Sequence, residues 1–272
     1  MKKNIVVLTA TITPKSDAFS LARTDPDLRR RDYELALLHY LDALSRGAFD
    51  QLVFAENSAT NLDSLRALVK KSGLEKQVEF LSLYGLDYPS AYSRGYGEFL
   101  LLDRVMDSPV MRAQSSDSVV WKITGRYRVA NIEQLIRSRP KQFDFYCNCR
   151  DYPVRLADQY LLAWRVGVYA QHLKGLYRFF REKETGKYAE RIMRELIDQG
   201  RFQTLHVIPR FTHVPIVEGV RGWDNREYGA GVMAHCKLLV RQTANLVRRR
   251  TLSRDRSRTA PQPLWNRFGI AR

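Results

Sequence analysis

Val119-Val120-Trp121-Lys122-Ile123-Thr124-Gly125-Arg126-Tyr127-Arg128-Val129, followed by Ala130 and Asn131, is the stretch whose reading decides the fold. An apolar, β-favouring run enters a Thr-Gly break that Lys122 and Arg126 flank. Such a pattern reads as a buried strand whose end delivers cations and a flexible turn to a cleft. The plainer reading is a strand with a solvated, basic end, and the rest of the chain has to decide.

Upstream, residues 4–11 predict a first strand and residues 28–46 a helix, with Tyr33, Leu37, Tyr40, Leu41 and Leu44 at helical spacing and Gly47 to close it. A strand over 51–55, a helix over 62–71 that stops at Gly73, and a strand over 78–82 follow. This alternation is that of parallel βαβ units with right-handed crossovers. Ligands of open α/β sheets lie beyond the carboxyl ends of the strands, which puts Thr9, Thr11, Glu56, Asn57 and Ser82 on one rim. Each of them also fits an ordinary polar cap between strand and helix. Ser93-Arg94-Gly95-Tyr96-Gly97-Glu98 then reads as a glycine-bearing helix start, where free backbone N–H groups can meet phosphate.

Downstream, the pattern predicts a helix over 132–137, strands over 143–151 and 155–164, helices over 165–182 and 187–199, and a last core piece over 206–219. A glycine-rich turn occupies 219–228, and a helix is expected over 232–248. Asp25-Pro26-Asp27 reads as loop chemistry. The expected division is a folded domain over 1–228 and an amphipathic helix with a basic, partly flexible tail over 229–272.

Composition narrows the class. The 272 residues suffice for one large α/β domain or two small ones, with 44% hydrophobic and 27% charged content typical of a globular protein. No apolar run approaches the roughly 20 residues of a membrane span. Thr9, Thr11 and Thr13 cut short the apolar start, so it reads as a strand rather than a signal peptide. Three cysteines argue for a reducing compartment, and Cys147 and Cys149 read as buried thiols because no ligand set for zinc accompanies them. The net charge of +16 implies polyanionic company. Ten basic residues against Asp255 alone lie between Cys236 and Arg272, so the tail is a separate device.

In the order of its motifs the chain resembles the bacterial GT-A-type polysaccharide glycosyltransferases of capsule and lipopolysaccharide O-antigen assembly. The matching pieces are the Thr-rich end of the first strand, Phe54-Ala55-Glu56-Asn57-Ser58, Gly95-Tyr96-Gly97-Glu98, Lys122-Ile123-Thr124-Gly125-Arg126-Tyr127 with Asn131, and the 219–228 turn. The resemblance runs over 5–228, and the Lys-x-Thr-Gly-Arg-Tyr element is its most specific part. It implies a single GT-A-like (Rossmann-like), mostly parallel sheet flanked by helices. It also implies a hexosyltransferase-type enzyme that moves a sugar from a nucleotide-sugar donor to a hydroxyl of a growing cell-surface glycan.

Where most GT-A enzymes place a metal-binding Asp-x-Asp, this chain has Thr124-Gly125-Arg126-Tyr127. Negative charge develops on the leaving nucleoside diphosphate, and fixed cations can meet it as a metal can. Lys122 and Arg126 are the expected clamp, on one side with Thr124 if the strand persists that far. No cofactor is expected, with Mg2+ or Mn2+ the disfavoured alternative. The donor is expected on Thr9, Thr11, Glu56, Asn57, Gly95, Tyr96, Lys122, Thr124, Arg126, Tyr127 and Asn131. The base for the acceptor hydroxyl is expected among Asp158, Asp151 and Glu190, with Asp158 first.

The tail, with Trp265 and Phe268, suits an anionic membrane surface at about 1 kcal/mol per basic residue. The expected location is therefore cytoplasmic, peripheral at the inner face of the cytoplasmic membrane, with a lipid-linked acceptor and other polysaccharide-assembly enzymes as partners. Two rival readings are a nucleic-acid-binding protein and a non-catalytic nucleotide-binding partner in an assembly complex. The first finds no RNP-like, KH-like or zinc-finger pattern, so nucleic acid is not an expected partner.

Overall fold

Seven strands form the central sheet of the computed structural model, which describes residues 2–18 and 20–228. In chain order they are β1 (Asn4–Ala10), β2 (Gln51–Glu56), β3 (Val78–Ser82), β4 (Val119–Thr124), β6 (Phe145–Arg150), β7 (Leu156–Arg165) and β8 (Val207–Ile208), arranged β3-β2-β1-β4-β7-β6-β8. β5 (Arg128–Val129), β9 (Val217–Val220) and β10 (Glu227–Tyr228) make a small antiparallel sheet beside it. In the large sheet every pairing is parallel except the two made by β7. The fold is thus α/β with a mostly parallel sheet flanked by helices, as expected.

The strands alternate their side chains between two apolar layers. Val6, Leu8, Phe54, Trp121 and Ile123 pack with α1 (Pro26–Ser45), α2 (Asp63–Ser72) and α4 (Ile132–Arg137) on one face. Ile5, Val7, Val53, Val120 and Leu162 pack with α3 (Ser93–Met106) and α5 (Ala189–Asp198) on the other. These strands are apolar on both faces because both faces are covered. α1 starts where Asp25 caps it: its carboxylate accepts from the backbone N–H groups of Asp27 (2.8 Å) and Leu28 (3.1 Å), with Pro26 in the first turn. The Asp-Pro-Asp run, expected as loop chemistry, is therefore a helix start.

Two expectations are corrected. The condition that the strand persist as far as Arg126 is not met: β4 ends at Thr124, at the Thr-Gly break, where Tyr127 N–H donates to Thr124 C=O (2.9 Å) and turns the chain, and only the two-residue β5 resumes beyond. The helix predicted over 165–182 is a series of short turns. A Cβ at Gly167 would press on Ser116 Cβ at 3.0 Å, and Gly175 adopts a left-handed φ of 81°, which breaks a helix that an amphipathic pattern alone suggests. The predicted helix over 232–248 and the basic tail lie outside the described residues. No described helix is long and apolar enough to cross a membrane.

Candidate active site

β1 and β4 are neighbours, and the chain leaves them in opposite directions across the sheet, toward β2 and β3 on one side and toward β7, β6 and β8 on the other. A crevice opens outside the carboxyl ends at such a switch point and is the usual ligand position of an open α/β sheet. The opening stretch ends there. Gly125 N–H donates to Thr9 C=O (2.8 Å), and a Cβ at Gly125 would lie 2.9 Å from that oxygen, so the turn closes onto β1 only because the residue is glycine.

Lys122 and Thr124 point to the α3 side, as strand alternation requires, and both meet Glu98. Glu98 Oε1 accepts from Lys122 Nζ at 2.7 Å, Thr9 Oγ1 at 2.6 Å and Thr124 Oγ1 at 3.0 Å. Lys122 is fully buried and also donates to Gln159 C=O at 2.5 Å, with Thr124 Oγ1 at 3.3 Å. Burial works to raise the Glu98 pKa, but the Lys122 charge and the three hydrogen bonds outweigh it and hold the carboxyl below its ordinary value. The ammonium of Lys122 is therefore committed to Glu98, unlike the free diphosphate cation expected from the sequence. Glu98, inside the quoted motif but not among the expected ligands, is the hub. Sequence showed its type but not that three donors from β1 and β4 converge on it.

Arg126 departs from that side because the strand has ended. It is buried, donates from its guanidinium to Val220 C=O (2.7 Å), stacks 5.3 Å from the Tyr127 ring, and keeps a buried Nε without an acceptor. Burial opposes its charge, and the neighbouring Tyr127, Tyr33 and Asp32 more than offset that, raising its pKa. Tyr127 is buried too, its carbonyl accepting from Tyr40 Oη (2.8 Å) and its ring lying edge-on to Tyr228. Asn131 ties the 214–216 segment down, donating to Val214 C=O (3.0 Å) and accepting from Ile216 N–H (2.9 Å).

The remaining expected donor residues serve the walls of the crevice. Glu56 is fully buried and accepts from the backbone N–H groups of Ile12 (3.0 Å), Ser58 (2.9 Å) and Thr60 (3.2 Å), which shapes its own loop. Thr11 Oγ1 donates to Asn57 Oδ1 (2.7 Å), joining the β1 and β2 ends. Gly95, expected on the donor, lies within the first turn of α3, where a Cβ would collide with Ala189 Cβ, so close packing of two helices requires glycine there. Tyr96 packs among Tyr88, Tyr92 and Tyr177 with ring centroids about 5 Å apart.

The three candidate bases differ sharply. Asp151 is exposed and accepts from Arg194 (2.8 Å) and Arg210 (3.0 Å). Asp158 is buried, with Arg150 at 2.8 Å and Asn148 Nδ2 at 2.6 Å. Glu190, in the first turn of α5, is half-buried; its carboxylate accepts from its own backbone N–H and makes no ion pair among the described residues. Burial raises its pKa above the ordinary value; its own backbone N–H and Arg94 oppose the rise, and Asp158 and Glu182 add to it. Its charge also acts on Lys122 and Tyr228, so it lies near the Lys122–Glu98 hub. A carboxylate of raised pKa beside a polar crevice can take a proton from a hydroxyl. Asp158, expected first, has both oxygens engaged.

Cys147 and Cys149 are buried, with Sγ atoms 3.9 Å apart, in agreement with the sequence reading. Among the described residues no three His, Cys, Asp or Glu side chains group as a metal set. No protein-family model matches the chain, and no curated protein does. Among solved structures it is similar to a "putative nucleotide-diphospho-sugar transferase" from Desulfovibrio desulfuricans G20, at 12% identity over 77% of this chain and 80% of that one, with a TM-score of 0.46.

Proposed function

We propose that the protein is a glycosyltransferase of the GT-A type that moves a sugar from a nucleotide-sugar donor to a hydroxyl of a growing cell-surface glycan, in O-antigen, lipopolysaccharide or capsule assembly. The observation that carries this reading is the polar crevice at the sheet's switch point, floored by Lys122, Glu98, Thr9 and Thr124, with the Glu190 carboxylate near enough to act on the charge of Lys122. In this mechanism Glu190 accepts the proton of the acceptor hydroxyl as its oxygen attacks the sugar. The electrons of the breaking glycosidic bond leave with the nucleoside diphosphate.

Lys122, Glu98, Thr9 and Thr124 form the fixed floor of the crevice. Lys122 is already neutralised by Glu98, so the charge on the leaving group is met by other cations. No metal is required in this reading, and the acceptor is lipid-linked, with residues 229–272 holding the enzyme to the inner face of the cytoplasmic membrane.

Transfer by the purified full chain, measured after a thermal-shift screen has chosen the donor, tests the reading: a nucleotide-sugar should stabilise the fold and be consumed. If no nucleotide or nucleotide-sugar shifts the melting temperature, the donor site is wrong. Loss of transfer in millimolar EDTA, restored by Mg2+ or Mn2+, would refute metal independence. Liposome flotation with and without residues 249–272 tests the membrane role, which equal binding would remove.

A further inference from the structure

Trp121 and Trp164 lie in the core, whereas Trp223 is 51% exposed. A single exposed apolar side chain is ordinary in a folded protein. What sets Trp223 apart is how firmly its turn is fixed and what its ring stacks against. Arg221 N–H donates to Arg226 C=O (2.8 Å) and Asn225 N–H to Arg221 C=O (3.2 Å), closing the turn between β9 and β10. Gly222 C=O accepts from the N–H groups of Ala22 (2.9 Å) and Arg23 (3.0 Å), which ties the turn to the segment after β1. The Arg221 guanidinium covers one face of the indole, its carbon 4.8 Å from the ring centroid. Asp224 holds that guanidinium in turn, at 2.5 Å. The ring is thus set in one orientation with half of its surface open.

From Trp223 a file of aromatic rings leads inward. The Arg221 guanidinium also lies 5.6 Å from the Tyr228 ring, which meets Tyr127 edge-on at 5.1 Å and Tyr160 at 6.4 Å. Tyr228 pairs with Gly219 across the hairpin, and a Cβ at Gly219 would lie 2.7 Å from Arg126 C=O. Glycine there is what lets the hairpin press Tyr228 onto Tyr127. Tyr127 follows the Thr-Gly break, and Tyr160 stands on β7 just beyond Asp158. Burial pushes the Tyr228 phenol up, and Tyr127, Asp158 and Glu190 add to the rise, so the ring lies near both carboxylates of the crevice.

Over 221–228 two arginines stand against Asp224 and Glu227, so the turn carries no net charge. A nucleic acid or a nucleotide phosphate would call for an excess of cations, which this turn lacks. A pyranose ring instead presents a flat face of C–H groups and a rim of hydroxyls. A fixed indole matches the face, and Asn225, Arg226 and Glu227, exposed beside it, can meet the hydroxyls. We propose that Trp223 binds a saccharide unit of the acceptor, stacked on its open surface at the outer end of the Trp223–Arg221–Tyr228–Tyr127 file. The proposal rests on the transferase reading above and deepens it: the acceptor is an oligosaccharide, and the unit on Trp223 is not the one that reacts.

Retention of the full chain on an array of mono- to hexasaccharides, printed beside nucleosides, tests this. Wild type should hold the longer saccharides and not the monosaccharides. Trp223→Ala should weaken that binding by about tenfold, the usual loss for an aromatic anchor, and Trp223→Phe should keep part of it. Melting temperatures of both variants should stay near that of the wild type, because half of the indole is already in solvent. Equal retention by Trp223→Ala, or no saccharide held by wild type, overturns the site and leaves the transferase reading to the donor screen. Nucleosides held through Trp223, or a dimer that Trp223→Ala dissolves, in place of saccharide binding likewise overturns it. Monosaccharides held as tightly as hexasaccharides overturn the placement away from the reacting unit. Saccharide binding that depends on Trp223, in a protein that binds no nucleotide or nucleotide-sugar, keeps the site and removes the transferase reading.

Discussion

Lys122 Nζ lies 2.7 Å from Glu98 Oε1, with the lysine side chain out of solvent and the carboxylate one-fifth exposed. Breaking such a pair from one side leaves a buried charge uncompensated, which costs far more than the pair contributes. Lys122→Met should therefore destabilise the fold by about 3–5 kcal/mol, and Lys122→Met with Glu98→Gln should recover a large part of that. Urea denaturation of the three proteins checks it. If the double variant is as unstable as the single one, lost packing rather than the orphaned carboxylate is the cause.

Glu190→Gln should lower transfer by about 10²–10⁴-fold, the usual worth of a general base. In wild type the base must be ionised, so the acidic limb of the rate profile should fall at the raised pKa of Glu190 rather than at an ordinary carboxylate value. The linkage has the opposite sign for stability. A carboxyl whose folded pKa is raised stabilises the fold fully below its unfolded pKa, and that contribution is lost as pH rises through the folded value. Relative to wild type, Glu190→Gln should thus look more stable at neutral pH than in acid. A variant that keeps its activity assigns the proton elsewhere.

Gly95→Ala places a methyl group against Ala189 and should cost about 1–3 kcal/mol through overpacking. Ala189→Gly in the same chain should restore stability toward wild type, since it removes the opposing methyl group. Thermal melts of the two single variants and the pair settle it; additive losses would show that the two helices do not meet as described.

Arg126→Ala removes a buried donor to Val220 C=O and should cost about 1–3 kcal/mol of stability. Its effect on transfer is then to be read only after correction for the folded fraction. Unchanged denaturation with lost transfer would instead mark Arg126 as a ligand-facing cation.

Much of the fold was legible because periodicity reports burial. β3 falls over the predicted 78–82 and α4 over the predicted 132–137, since each is bounded by residues that end its pattern. The 165–182 region misled because its apolar residues keep helical spacing while Gly167 and Gly175 meet constraints set by distant or left-handed backbone. The site was legible in its place and less so in its roles. Lys122 and Thr124 share a face, as alternation demands. That Lys122 would be spent on Glu98, 24 positions earlier in the chain, depends on how α3 docks on the sheet, which no local pattern encodes. Glu190 is one of the three carboxylates the sequence offers, but its closeness to Lys122 depends on how α5 docks on the sheet, which only a folded chain shows.

β7 runs against every strand of its sheet, so it brings its first residues, not its last, to the crevice. Asp158 and Gln159 arrive there directly from the exposed 151–155 connection. Parallel strands reach the same rim through crossovers that the core holds in place. This short hairpin is free of that restraint, and surface connections accept exchange and insertion more readily than the elements they join. Grafting new residues over 152–155 is therefore a route to altering what the proposed crevice accepts while the hydrogen-bond register of the sheet stays as it is.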